Sequence, residues 1–282
     1  MDAPDSKVFF PATLQELFSQ WQRTGDAAIC AGGTGFILAQ GQHAPRFPDS
    51  VISLQNLKEL TRISRTERYL EIGSMVTLNK IINLGKILPQ ALNYALRRIA
   101  GLQVRNQATI GGNICFPSGK LDSAVPMIAL DAQYELRTMQ SSRWISAAQF
   151  SASPSPPLEN GELLTRIRIP LEPWAFTAYR KFHSAGSTTG EGSILFAMNN
   201  EKNILTKIRV LYSDGIILRE KNSETIFRGK RLPLDKKDAD AFLDSWRNYL
   251  ATLDSNEHNG HLQLIRLRII NFITTMLRHI SD

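Results

Sequence analysis

Two stretches of this chain carry glycine, threonine and amide side chains at spacings that suit a bound anion. In the first, an apolar strand candidate, Ala28-Ile29-Cys30, runs into Ala31-Gly32-Gly33-Thr34-Gly35 and then an apolar segment. In the second, about eighty residues on, a basic, amide-rich turn (Gln103, Arg105, Asn106, Gln107) tightens into Thr109-Ile110-Gly111-Gly112-Asn113. The chain then passes through Pro117, Ser118 and Gly119 to Asp122 and the apolar run Ala124 to Leu130. Paired glycines let a backbone approach a ligand closely, because no Cβ intervenes and positive φ costs little. Consecutive N–H groups in such loops form a concavity that holds phosphate, and a following helix fixes the loop in place. Taken alone, each Gly-Gly reads first as a tight turn that binds nothing. Two such loops together suit a long ligand with a diphosphate at its middle. The GGTG spacing is not a GxGxxG dinucleotide fingerprint, and no Lys is present to make it a P-loop.

Further segments, in order along the chain, carry a family resemblance. AGGTG at 31–35, VISLQNLKEL at 51–60, YLEIGSMVTL at 69–78, VRNQATIGGNI at 104–114 and SxxxDSxxPxxALDA at 118–132 resemble the FAD-binding subunits, or medium chains, of the molybdenum hydroxylases. That family includes the flavin subunits of xanthine dehydrogenase and carbon monoxide dehydrogenase. The similarity continues through GELLTRIRIP at 161–170 and YRK at 179–181. It implies a two-lobed FAD-binding domain of the PCMH/VAO type over residues 1–172, with a small lobe to about residue 60 and a larger one over 61–172. A C-terminal domain of the carbon monoxide dehydrogenase flavoprotein type would follow at 173–282.

On that resemblance FAD is bound noncovalently. Gly32, Gly33, Thr34 and Gly35 are expected to wrap its diphosphate, and Thr109, Gly111, Gly112 and Asn113 to line its other side, with Ala31, Ile110 and Ser118 in the same cofactor-binding set. Asp122 matches the carboxylate that accepts hydrogen bonds from the cofactor's hydroxyl groups, and reads equally as a helix N-cap before Ser123. Leu163 or Leu164 falls beside the isoalloxazine. Lys181 matches a cation near the ring system, where it would favour the reduced flavin, and reads equally as a solvated lysine. Two positions depart from the family. Gly35 stands where an acidic residue is usual, and the polar FHSAGSTTGEGS at 182–193, over the flavin's exposed side by resemblance, leaves the acceptor as NAD or another soluble molecule.

The elements that must position these residues read as short strands alternating with helices, without regular βαβ repeats, which argues α+β rather than a Rossmann sheet. Thr13 can cap a helix with Leu14, Leu17, Phe18 and Trp21 on one face. Tyr69 to Gly73 alternates as a strand, Thr77 caps a helix running to about Leu84, and Pro89 begins another. Gly161 to Pro170 reads as the last strand before a boundary near Leu171 to Trp174. Beyond it, Phe176–Phe182, Ser193–Met198 and Ile204–Tyr212 read as strands. A helix from Asp235 carries Ala239, Phe242, Leu243, Trp246 and Leu250 on one face. A final helix runs from about Leu262 to Ile280, with Arg266, Arg268 and Arg278 free to remain in water.

Composition narrows the function classes. With 282 residues, 43% hydrophobic and 21% charged, the chain has the profile of a globular protein. Its net charge of +7 carries no nucleic-acid-binding signature and reads as a solvated surface, with room for a face toward an acidic partner. Neither a signal-peptide profile nor a membrane-length apolar run is present, so a cytoplasmic location without membrane contact is expected. Cys30 and Cys115, read as reduced thiols, are too few for an iron–sulfur cluster. Any cluster would sit in a partner subunit, and molybdopterin in another. No catalytic triad, acid–base dyad or metal site is legible; His258 and His261 flank Asn259-Gly260, and His43, His183 and His279 stand alone. The chain thus reads as an oxidoreductase subunit passing electrons from iron–sulfur clusters through FAD. A solitary FAD-dependent NADH oxidoreductase, or a scaffold protein with decayed FAD binding, are the alternatives.

Overall fold

Three strands of three or four residues begin the chain: β1 (Lys7–Phe9), β2 (Ala28–Cys30) and β3 (Ser50–Ser53). They form a parallel sheet in the order β1-β3-β2, with Val8 opposite Val51 and Ile29 opposite Ile52. Parallel pairing requires crossovers. Helix α1 (Leu14–Thr24) supplies the first and α2 (Thr34–Gln40) begins the second. The Thr13 hydroxyl caps α1 by accepting the Glu16 N–H at 3.1 Å. Leu14, Leu17 and Phe18 are buried and Trp21 packs at the edge of the same cluster, so the expected amphipathic helix is present. The computed structural model describes residues 6–41, 46–116, 122–153, 155–183, 190–253 and 260–281. Contacts divide the chain into two units, Met1–Glu172 and Pro173–Asp282.

The second sheet of the first unit is antiparallel, made of β4 (Ile63–Arg65), β5 (Tyr69–Gly73), β6 (Gln133–Arg137), β7 (Ser142–Ser146) and β8 (Leu163–Pro170) in the order β4-β5-β8-β6-β7. Strand β8 is central and buries Leu163, Leu164, Ile167 and Ile169. Among the described residues, five short α-helices lie between β5 and β6: α3 (Leu78–Ile82), α4 (Gln90–Arg97), α5 (Leu102–Gln107), α6 (Ile110–Ile114) and α7 (Ala124–Ala129). A sixth, α8 (Ala147–Phe150), follows β7. Thr77 caps α3 and Pro89 precedes α4, as their positions in the sequence lead one to expect. Two local readings change. Residues 102–107 are helical instead of a turn, and the second Gly-Gly lies inside α6, where neither glycine has positive φ.

In the second unit β9 (Phe176–His183), β10 (Gly190–Glu201), β11 (Ile204–Ser213) and β12 (Ile217–Leu218) form an antiparallel sheet in the order β12-β11-β10-β9. Helices α9 (Lys221–Ile226), α10 (Lys236–Thr252) and α11 (Gly260–Ser281) follow. Phe242, Leu243, Trp246 and Leu250 are buried with Ile194, Phe196 and Val210 of the sheet and with Ile269 and Ile273 of α11. Two arginines of α11 are not simply solvated. Arg266 donates to the Leu250 carbonyl at 2.8 Å, and the Arg268 guanidinium lies 4.9 Å from the centre of the Phe182 ring. Antiparallel sheets with segregated helices make the protein α+β. No helix among the described residues is long and apolar enough to cross a membrane.

Candidate functional site

Strand β2 ends at Cys30, and the loop Ala31–Gly33 carries the chain into α2. Gly33 is the N-cap of α2, in the left-handed region at φ 73°, and a Cβ there would meet nothing within 4 Å. No side chain caps this helix. Among the described residues, none of the N–H groups from Gly32 to Phe36 donates a hydrogen bond, and the Thr34 hydroxyl makes none. No Asp or Glu lies between Asp26 and Asp49. A left-handed glycine leading into an uncapped helix start, with no Asp or Glu in its own segment, is a donor set for an anion.

The second glycine stretch is brought directly against the first. A Cβ added to Gly32 would land on the Gln107 carbonyl oxygen. One added to Gly35 would come within 2.8 Å of the Phe116 ring. One on Gly112 would sit 3.7 Å from the Ala31 Cβ. Gly32 and Gly35 are therefore required by close packing between the loops. That gives a physical reason for glycine at position 35, where an acidic side chain would collide with Phe116.

Chemically the second stretch is unlike the first. Its amides are already used inside the protein: Ile110 N–H donates to Val76 O at 3.0 Å, Gly111 to Ser74 O at 2.8 Å, Gly112 to the Thr109 hydroxyl at 3.1 Å and Asn113 to Thr109 O at 2.9 Å. Thr109, which the sequence offers as a ligand contact, is the N-cap of α6. Ile110 is fully buried. Gly111 allows α6 to lie on Ser74, whose Cβ would be 2.6 Å from a Cβ at 111. Ser74 in turn donates to Thr165 O of β8 at 3.0 Å. A continuous hydrogen-bonded path thus runs from the central strand through Ser74 to α6. The expected cradle of amides at 110–113 is absent because the helix cap and the strand have taken them.

The remaining candidates are distributed as follows. Asn113 Oδ1 accepts the Ser123 hydroxyl at 2.5 Å, and Ser123, not Asp122, is the N-cap of α7. Asp122 is half-buried in the turn just before it, within ten residues of Asn113 in sequence and linked to it through Ser123. Leu163 packs with Leu14, Leu17 and Phe18 in the cluster that Ala31 also touches, so it lies under the first loop. Lys181 is on β9 opposite Ser193, in the second unit. Ser118, His43, His258 and residues 184–189 of the polar stretch lie outside the described residues. Sequence reasoning missed Phe116 and Ser74, and it named Gln107 and Ser123 without the packing and hydrogen-bonding parts they have here. Ser74 had a signal, since it follows Gly73 in the quoted YLEIGSMVTL stretch, and a Cβ at Gly73 would land on the Leu60 carbonyl. The two thiols bracket the site. Burial pushes the Cys30 thiol above its ordinary range and the Cys115 thiol up to about 12, so both are protonated and unreactive near neutrality.

Comparison with known proteins bears on this arrangement. Residues 4–172 match the family described as "FAD binding domain in molybdopterin dehydrogenase". A putative xanthine dehydrogenase FAD-binding subunit of Escherichia coli (strain K12) is 34% identical over 167 residues, covering 57% of this chain and 56% of that protein. The chain thus spans little more than half the length of this relative. The nicotine 6-hydroxylase medium subunit of Paenarthrobacter nicotinovorans is 24% identical over 245 residues, covering 85% and 86%. Among solved structures, quinoline 2-oxidoreductase from Pseudomonas putida 86 matches with a TM-score of 0.81 over the whole of both chains, at 21% identity. Carbon monoxide dehydrogenase from Hydrogenophaga pseudoflava matches at 0.79 and 22%. At those identities the structural matches speak to fold.

Proposed function

Because this chain belongs to the family of FAD-binding domains found in molybdopterin dehydrogenases, we propose that it binds FAD noncovalently and serves as the flavin-bearing subunit of a molybdenum hydroxylase of the xanthine dehydrogenase kind. Iron–sulfur clusters and molybdopterin would be carried by partner subunits, with NAD or another soluble acceptor receiving the electrons. The observation that carries the reading is the unspent donor set at Gly32–Phe36 held against the Gln107 carbonyl and Phe116 by two glycines. The chemistry a bound flavin supplies is exchange of single electrons with clusters and of a hydride with a nicotinamide.

The chain's own residues bind and orient. Gly32, Gly33, Thr34 and Gly35 offer N–H groups and one hydroxyl to the diphosphate. Gly111, through Ser74, fixes α6 to the sheet, and Gly112 lies beside Ala31 and donates its N–H to the Thr109 hydroxyl. Asn113 and Ser123 hold the start of α7 next to Asp122, whose carboxylate is assigned to the cofactor's hydroxyl groups. Leu163 is assigned a supporting place with the apolar cluster that Ala31 touches. Glycine at 35 is no sign of a decayed site, since Phe116 occupies the space a side chain would need.

The test is an absorbance spectrum of the purified chain with FAD measured after extraction, before and after anaerobic NADH. Flavin bands with equimolar FAD are expected, and bleaching by NADH would assign the acceptor couple. A colourless protein that cannot be reconstituted with FAD would overturn the reading and favour a scaffold of the same fold.

A further inference from the structure

The two ends of the first glycine loop have unlike surroundings. At Ala31 the neighbouring cluster is sealed: Leu14, Leu17, Phe18 and Leu163 are all buried. At Gly35 the neighbours are aromatic rings that stay partly open to solvent. A Cβ on Gly35 would lie 2.8 Å from Cδ2 and 3.0 Å from Cε2 of Phe116, so glycine is what lets that ring rest against the loop. The next ring along the chain, Phe36, stacks on Phe47 with centroids 5.2 Å apart and planes 17° from parallel. Phe36 and Phe116 are half-buried and Phe47 is 56% exposed. Phe36 therefore has one ring face committed to Phe47, whereas Phe116 pairs with no other ring among the described residues. The backbone that carries Phe116 is held in place. Its N–H donates to Asn113 O at 3.4 Å and the Cys115 N–H to Gly111 O at 2.9 Å, at the end of the helix that Ser74 ties to β8.

A half-open ring, fixed in advance against a loop of backbone donors, suits a ligand that joins a flat base to its phosphates. We propose that Phe116 is a specificity-determining residue of the cofactor site: its ring stacks with the adenine of the dinucleotide and makes the site prefer FAD to FMN. This inference rests on the flavin reading above and adds to it the recognition of one half of the ligand. A diphosphate held at Gly32–Phe36 sends one arm of FAD past each end of the loop. Similarity assigns the isoalloxazine to the Leu163 end, which leaves the adenosine arm for Gly35 and Phe116. Adenine is uncharged and planar, and no Asp or Glu between Asp26 and Asp49 competes for the same approach.

The experiment titrates the flavin-free full chain with FAD and with FMN by calorimetry, for wild type, Phe116→Leu and Phe116→Tyr. Leucine keeps apolar bulk and removes the ring, and tyrosine puts the ring back. FAD affinity is expected to fall about tenfold or more in Phe116→Leu and to return close to wild type in Phe116→Tyr. FMN, which has no adenine, should bind all three alike, and the unfolding midpoint should not move. Wild-type FAD affinity in Phe116→Leu would overturn the assignment. So would a loss shared equally by FAD and FMN, or one that Phe116→Tyr leaves unrepaired. In those cases the wild-type chain still binds FAD and the flavin reading stands. Failure of the wild-type chain to take up FAD would instead remove the reading on which the inference rests.

Discussion

The two glycine stretches look alike in sequence and do opposite things in the fold. In Ala31–Gly35 the backbone donors are left over: Gly33 turns the chain at positive φ, α2 starts without a cap, and five consecutive N–H groups have no partner among the described residues. In Thr109–Asn113 four consecutive N–H groups are committed, to Val76, Ser74 and Thr109. The same residue types therefore make a donor surface in one place and a scaffold in the other. What separates them is the neighbour each glycine meets. Gly111 meets Ser74 of the central sheet's network, whereas Gly33 meets open space.

Breaking the contact between the stretches should have the largest effect. Gly32→Val would drive a side chain into the Gln107 carbonyl, separating the loops; FAD retention after gel filtration is expected to be lost, with destabilisation of about 1–3 kcal/mol by chemical unfolding. Wild-type FAD content in this variant would mean the loops need not touch. Next, Gly111→Val attacks only the scaffold, forcing α6 off Ser74. Stability should fall by a similar ~1–3 kcal/mol, with FAD loss following from the displaced helix. Retention of full stability there would show that the path from β8 through Ser74 does not hold α6.

Thr109→Ala sharpens the comparison at lower cost. Removing the cap of α6 is expected to cost about 1 kcal/mol and to leave most FAD bound, because the assigned role of Thr109 is structural. A complete loss of FAD with a stable fold would return Thr109 to the ligand. The smallest effect concerns the bracketing thiols. With the Cys115 thiol raised to about 12 by burial, alkylation by iodoacetamide at pH 8 should run about a hundredfold or more slower in the native chain than in urea, and Cys115→Ser should leave FAD content unchanged. Rapid native alkylation would show that this side of the site is open.

Much of the fold was legible because local signals and tertiary packing agree. Thr13 and Thr77 cap the helices that their positions suggest, and the apolar stripe Phe242, Leu243, Trp246, Leu250 is buried as its spacing requires. Helix α5 was not legible, since Leu102–Gln107 has neither a cap nor a buried face and reads as a turn from its amides alone. In the candidate site the residues stood out but their division of labour did not. Whether an N–H of α6 is free or spent depends on the carbonyls of Ser74 and Val76, which are distant from it in sequence. Ser123 occupies the N-cap position of α7 without a side-chain cap bond, and its hydroxyl donates instead to Asn113 ten residues earlier, a contact that no local rule anticipates.

The most direct test of the division is amide hydrogen exchange on the apo chain with and without FAD. The account predicts that Gly32–Phe36 exchange freely in the apo chain and become protected when FAD is added, whereas Ile110–Asn113 are protected in both states. Stoichiometric FAD binding that leaves Gly32–Phe36 unchanged, or that protects Ile110–Asn113 only when the cofactor is present, would contradict it.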